Sequence, residues 1–210
     1  MAEIIKLEHP LVFIFGPSSS GKDTVIQELL KSYTLNFPPT LTTRGMRPGE
    51  KPGIYNFIRE EKFKELISSD AFIEYDEHFG NYYGTSKELI VKAMKDGLSI
   101  KQIDMNGINK IFNSKDLGYN RETHTINIDN KYLAKIYFVA ITMESVKITR
   151  ERLINRDGDG VQTQNRISEL QKKYDFAKKH SDYRIVNPFN HPEKAAEGLS
   201  DLLQKLDDGI

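Results

Sequence analysis

Residues Gly16-Pro17-Ser18-Ser19-Ser20-Gly21-Lys22 set two glycines five apart, with a lysine directly after the second. This is the Gly-x4-Gly-Lys spacing of a phosphate-binding loop. Backbone N–H groups in such a loop curl around phosphate oxygens, and the helix that follows presents its positive end. The lysine reaches the β and γ phosphates, and the glycines are needed where a Cβ would block the curl. One position departs from the pattern. Asp23 stands where a Ser or Thr hydroxyl would hold Mg²⁺, and Thr24 comes one residue late. Hard cations take carboxylate oxygen, so Asp23, or Thr24 in its place, is the candidate metal ligand. Phosphates and water are the third way to hold the ion, and metal dependence is the test.

A second set lies downstream. Thr40-Leu41-Thr42-Thr43-Arg44-Gly45-Met46-Arg47-Pro48-Gly49-Glu50 places Arg44 and Arg47 three apart in a Pro/Gly-braced segment. Two guanidinium forks on one short segment suit a phosphate monoester, which offers several oxygens for bidentate contact. Tyr55, Glu74, Tyr83 and Thr85 add hydroxyls and a carboxylate at strand ends and turns. A third set, Arg150, Arg152, Arg156 and Arg166, surrounds Asp157-Gly158-Asp159-Gly160, which has hinge composition. Arginines on a mobile segment can close over a transferring phosphoryl group and exclude water. Arg150 and Arg152 read more simply as surface helix charges. His9, His78, His124, His180 and His191 show no metal-ligand spacing.

The elements that must position these groups follow from periodicity. Leu11 to Phe15 is a continuous apolar run suited to a strand buried on both faces. Val25, Ile26, Leu29 and Leu30 then recur at helical spacing, giving strand, glycine-bounded loop and helix. Phe63, Leu66 and Ile67 predict a short helix, and residues 71–75 a strand. Ser86 caps a predicted helix carrying Leu89, Ile90, Ala93 and Met94, ended near Gly97. Residues 98–103, 136–141 and 184–186 read as strands. A long charged helix carries Ile167, Leu170, Tyr174 and Ala177. The last helix opens at Pro192 and buries Leu199, Leu202, Leu203 and Leu206. Residues 113–130 read as a polar excursion. Strands alternating with helices imply an α/β layer fold with a mostly parallel sheet.

Composition narrows the function classes. The 30 Lys+Arg balance the 30 Asp+Glu, which argues against a broad nucleic-acid binder. Absence of cysteine excludes disulfide scaffolds, Cys-ligated zinc, iron–sulfur clusters and thiol nucleophiles. No stretch approaches the roughly 18 apolar residues of a membrane span. No membrane partner and a cytoplasmic location are therefore expected.

The sequence resembles the guanylate kinases. The resemblance is carried by Gly16 to Lys22, Thr42-Thr43-Arg44 with Arg47 and Gly49-Glu50, Tyr55 with Phe57, Phe72-Ile73-Glu74, and Gly80-Asn81-Tyr82-Tyr83-Gly84-Thr85. It continues through Ile103-Asp104 with Gly107, Arg152-Leu153 with Arg156, Arg166, and Ile185-Val186-Asn187. It implies a three-layer P-loop α/β fold with inserted monophosphate-binding and lid subdomains. The core would be 1–37, 98–142 and 175–210, the GMP-binding part 38–97 and the lid 143–174. It implies ATP and Mg²⁺ as cofactors and GMP as substrate, with dGMP and oligomeric state open. ATP would be held by residues 16–24 (Gly16, Pro17, Ser18, Ser19, Ser20, Gly21, Lys22, Asp23, Thr24) and Asn187. The GMP phosphate would be bound by Arg44, Arg47, Tyr55 and Tyr83, and the guanine read by Glu74, Thr85 and Thr40. Arg156 and Arg166 would act from the lid beside Lys22 and Arg47 in neutralising the transferring group. Asp104 would contact the guanine site or a metal-bound water. Gln102 stands where members of the family usually carry a second acid.

The residues themselves agree for Glu74. Guanine offers N1–H and a 2-amino group as neighbouring donors, and a carboxylate is acceptor-only. Adenine would turn a lone pair toward it. Two other readings stand beside this one. A ribose-bisphosphate kinase of the same fold is suggested by Asp23-Thr24 after Lys22. A non-catalytic guanylate-kinase-like interaction module is opposed by the presence of Lys22.

Overall fold

The computed structural model describes residues 3–47, 50, 53–78 and 80–209. Pro48 and Gly49, which brace the arginine segment in sequence, lie outside them. β1 (Ile5–Lys6) is followed by β2 (Leu11–Phe15), whose five residues are all buried, as an apolar run without alternation requires. α1 (Lys22–Leu29) turns Val25, Ile26 and Leu29 inward. β3 (Thr40–Thr42) and β4 (Tyr55–Phe57) precede α2 (Glu60–Ser68), which buries Phe63. β5 (Phe72–His78) and β6 (Asn81–Ser86) are antiparallel, and the Ser86 hydroxyl accepts from Leu89 N–H to start α3 (Lys87–Asp96). β7 (Ser99–Gln102), α4 (Met105–Asn113), β8 (Thr125–Ile128) and β9 (Tyr132–Thr142) come next. α5 (Val146–Asp157), α6 (Val161–Ser168), α7 (Leu170–His180), β10 (Tyr183–Val186) and α8 (Pro192–Asp207) complete the order.

The larger sheet has six strands, on the path β1-β9-β2-β7 with β8 and β10 also on β9. β1 and β10 run parallel to β9 and β8 antiparallel. The fold is mixed α/β with a largely parallel central sheet, as the alternation of elements implies. Among the described residues, no helix is long and apolar enough to cross a membrane.

The chain divides into two compact units. The first contains Leu35–Lys101 and Asn106–Ile136 with the N-terminal strand. Its four-stranded sheet runs β4-β3-β6-β5 over a core of Leu41, Phe63 and Phe72. Phe63 and Phe72 stack with centroids 4.6 Å apart. Gly84 makes room for them: a Cβ there would lie 2.6 Å from one Phe72 ring carbon. The second unit contains Val12–Thr34, Gln102–Met105 and the chain from Tyr137. Within it Phe13 stacks on Phe138 at 5.5 Å, and α1 packs along α8.

Several elements differ from the sequence reading. The 113–130 excursion contains β8, whose Ile126 and Ile128 are buried in alternation. β8 turns into β9 through Asp129 and Asn130, both at positive φ (56° and 51°), and Lys131 N–H bonds Ile128 C=O at 3.1 Å. That is the mirror-image turn whose twist matches a hairpin, and Asp and Asn tolerate it. The long charged helix is two helices. Glu169 is at once the last cap of α6 and the first of α7. Leu202 is half-buried, whereas Ala195, Ala196, Leu199, Leu203 and Leu206 are buried.

Candidate active site

In the second unit the buried strand β2 delivers the glycine-bounded loop 16–22. Gly16 has φ 145°, and a Cβ there would lie 2.1 Å from the Ile141 carbonyl oxygen. Only glycine lets the loop leave the sheet this close to its neighbour. Gly21 caps α1 at φ 82°, and a Cβ there would meet Asn187 Nδ2 at 2.3 Å. Asn187 is 1% exposed and donates from Nδ2 to Ser20 C=O at 2.8 Å, while its own N–H bonds Thr142 C=O at 2.7 Å. The residue after β10 thus fastens the loop. Ser19 Oγ, Ser20 Oγ and Asn187 Oδ1 are buried without hydrogen-bond partners. Such groups are costly to bury unless a ligand or water satisfies them.

Lys22 folds back across the loop, donating from Nζ to Gly16 C=O and Pro17 C=O, each at 3.0 Å. Burial lowers its pKa to about 8; Asp23 opposes that shift, while Lys173 and Arg156 reinforce it. Asp23 is exposed in the first turn of α1, and Thr24 beside it is half-buried. Gln102, at the end of β7, donates from Nε2 to Asp23 Oδ1 at 2.6 Å. The two positions that depart from the family pattern therefore meet. Asp104 follows two residues on and is exposed.

Arg150, Arg152, Arg156 and Arg166 fall into three settings. Arg156 makes a two-bond fork on Asp157 (2.6 and 2.7 Å), and Arg166 reaches the same carboxylate at 2.7 Å. Both side chains are about half exposed, at 53% and 46%. These bonds hold the Asp157 carboxyl below its usual range. Asp23 exerts a weaker influence on Arg156, so the field of the loop reaches this helix end. Arg152, which read as a surface charge, lies against the loop instead: its guanidinium nitrogens are 3.2 and 3.6 Å from where a Gly21 Cβ would stand. Arg150 is exposed, as its surface reading requires.

The first unit gathers the other predicted residues on one sheet. Strand register sets Glu74 opposite Thr85, and the Leu41–Gly84 and Thr42–Tyr83 pairs continue to bring Thr40 level with Thr85. The Thr85 hydroxyl donates to Glu74 Oε1. On the opposite edge of this sheet, where Tyr55 stands beside Thr40, the Arg44 guanidinium lies 4.9 Å from the Tyr55 ring centroid and 5.4 Å from that of Phe57. Tyr83 meets Tyr55 edge-on at 6.3 Å. A cation and two phenols therefore converge, the donor set for a phosphate monoester. Arg47 is exposed and joins through its backbone N–H, which bonds Glu50 Oε2 at 2.9 Å.

In this unit two further residues join the site without being among the predicted ones. Glu50 takes the Arg44 fork in a bidentate pair at 2.6 and 2.9 Å. The Arg44 hydrogen bond and the Arg47 N–H together lower its pKa to about 2. Lys101 is the other. It is 5% exposed and donates from Nζ to Thr40 Oγ1 at 2.8 Å and Pro38 C=O at 3.0 Å. Burial lowers its pKa to about 8, with Glu74 opposing. A lysine inside the predicted strand 98–103, directly after Ile100, was the available signal.

Comparison with known proteins identifies the family. The guanylate kinase family model matches residues 8–118, a span that includes the phosphate loop, the arginine segment, Glu74 and Thr85. A guanylate kinase of Wolbachia pipientis wMel is 30% identical over 205 residues, covering 96% of this chain and 92% of the relative. One from Clostridium perfringens (strain SM101 / Type A) is 31% identical over 197 residues, covering 92% and 82%. With the guanylate kinase of Aliivibrio fischeri the identity is 43% over 106 residues, so there the match spans about half the length of each protein, 48% of this chain and 51% of the relative. The crystal structure of guanylate kinase from Anaplasma phagocytophilum superposes with a TM-score of 0.57 at 26% identity, covering 96% of this chain and 87% of that one.

Proposed function

The chain belongs to the guanylate kinase family, and on that premise we propose that it transfers the γ-phosphoryl group of ATP to GMP, giving ADP and GDP. The observation that carries this reading is the row Thr40, Thr85 and Glu74 on the same sheet as Arg44, Tyr55 and Tyr83. One edge supplies an acceptor-only carboxylate for guanine donors, and the opposite side a cation with two phenols for a monophosphate. The relatives at 30% and 31% identity over more than nine-tenths of the chain favour this reading over a sugar-phosphate kinase or an interaction module.

In this proposal residues 16–24 and Asn187 hold ATP, and residues 38–97 form the GMP-binding part. Residues 143–174 form the lid on the remaining core. Lys22, Arg47, Arg156 and Arg166 neutralise charge on the transferring group, since phosphoryl transfer depends on positioning and electrostatics more than on covalent help. Arg156 and Arg166 would exchange Asp157 for phosphate oxygens as the lid closes. The test is a coupled ADP-release assay over GMP, dGMP, AMP, UMP and CMP. Turnover with GMP well above AMP is expected, and no GMP-dependent turnover overturns the reading.

The donor set also fits Mg²⁺. Asp23 and Thr24 offer hard oxygens at the start of α1, and Gln102 engages one oxygen of Asp23. Bound there, the ion would offset charge on the β and γ phosphates. Asp23→Asn should weaken ATP binding in Mg²⁺ by about 10-fold or more. In EDTA the same variant should bind ATP as well as the unaltered protein or better, because a negative charge next to the phosphates is gone. Calorimetric titrations under both conditions check this; equal losses in both would contradict a metal role.

A further inference from the structure

We propose that Lys101 fixes the hydrogen-bond polarity of Thr40, making its hydroxyl a donor toward the base and Lys101 a positioning residue for purine choice. The inference deepens the proposed function and rests on the reading that guanine lies against Thr40 and Glu74.

A threonine hydroxyl is one donor and two acceptor sites, and by itself it serves either kind of partner. An ammonium has donors and no acceptor. Lys101 Nζ lies 2.8 Å from Thr40 Oγ1, so Oγ1 must accept there and its proton must point elsewhere. The second Lys101 contact, Pro38 C=O at 3.0 Å, holds the ammonium in place from the other side. The Thr40 backbone N–H is already spent on Ile54 C=O at 3.0 Å, which leaves the hydroxyl proton as the donor this residue has to offer. Burial disfavours the charged form of Lys101, and Glu74 nearby favours it, which keeps the donor role tied to the carboxylate that reads the base.

The row is therefore polarised in two senses. Thr85 donates to Glu74, which as a carboxylate can only accept, and Thr40, accepting from Lys101, donates. Guanine presents the complement: N1–H and the 2-amino group as donors, and O6 as acceptor. Adenine carries an amino group at the position of O6, so the Thr40 proton would meet a donor. A site whose buried groups are left unmatched discriminates more strongly than one that merely loses contact area.

The experiment compares GMP with 6-thio-GMP, in which sulfur, a poor acceptor, replaces O6 while N1–H and the 2-amino group stay. Binding is measured by calorimetry for the unaltered protein, Lys101→Met, Lys101→Arg and Glu74→Gln. Lys101→Met should weaken GMP about 10-fold and 6-thio-GMP less than about 3-fold, the scale of one lost hydrogen bond. Lys101→Arg, which keeps the donors, should restore most of the GMP affinity. Equal weakening of both ligands by Lys101→Met, or no weakening of either, overturns the proposal. If Lys101→Met does not fold, Thr40→Val must give the same ligand-selective loss, and an equal loss for both ligands overturns it. Failure of the underlying reading looks different: the unaltered protein does not bind GMP, or Glu74→Gln leaves GMP binding unchanged.

Discussion

Replacing Glu74 with Gln is expected to lower kcat/KM for GMP by about 10³- to 10⁴-fold while leaving the KM for ATP within about 2-fold. The carboxylate accepts from the Thr85 hydroxyl, and being acceptor-only it suits two neighbouring N–H groups. A carboxamide has one acceptor oxygen and an NH₂ that would face a donor of guanine. The loss is then an unmatched polar contact in a half-buried site, which costs more than a missing one. Glu74→Gln preserves shape, and β5 keeps its pairing to β6 through backbone bonds, so the fold should persist. Initial rates with each nucleotide varied in turn measure the effect. Comparable losses for GMP and ATP would contradict the assignment.

The second large effect is expected at Lys22. Lys22→Met should reduce kcat by about 10²- to 10³-fold, the scale of removing one preorganised donor from a developing charge. GMP affinity should change little, since Lys22 belongs to the phosphate loop and not to the sheet that carries Glu74. Its Nζ now bonds two loop carbonyls at 3.0 Å, so it sits at the mouth of the loop without reorganising the helix behind it. A pH signature accompanies this. Burial has brought the Lys22 pKa down to about 8, and a bound triphosphate would favour the ammonium. ATP binding above pH 8 must then take up a proton, so affinity falls as pH rises past 8, by up to about 10-fold per pH unit. Below that pH the group is already charged and the dependence vanishes. Lys22→Met should abolish the alkaline fall, and its persistence in the variant would place the titrating group elsewhere.

The phosphate loop was legible because its signal is local. A buried strand, a glycine at each bend and a helix start lie within 15 residues, and backbone sterics alone specify their order. The same holds for the Ser86 cap, for Pro192 and for the apolar stripes of α1 and α8. The strands β3, β4 and β6 were harder. β3 and β4 are three residues each, and all three lie in Thr-, Tyr- and Gly-rich segments whose burial comes from pairing with one another. β8 was hidden because its alternation runs for only four residues inside a polar stretch.

Side-chain partnerships decided the rest. In sequence, Asp23 and Gln102 are two unrelated departures 79 positions apart; in the fold one amide answers one carboxylate. Arg152 looks like any helix arginine until α5 sets it against Gly21. Lys101 is one cation among 30 until the sheet buries it beside Thr40. By itself the sequence determined which chemistries were on offer: the spacing of a backbone cradle, guanidinium forks that suit a monophosphate, and an acceptor-only carboxylate. Those follow from residue type and short spacing. Only the tertiary structure decided which acceptor each donor faces, because hydrogen bonds act over about 3 Å and are set by which strands meet. The direction of the Thr40 proton is the clearest case, since a hydroxyl takes its polarity from its neighbour.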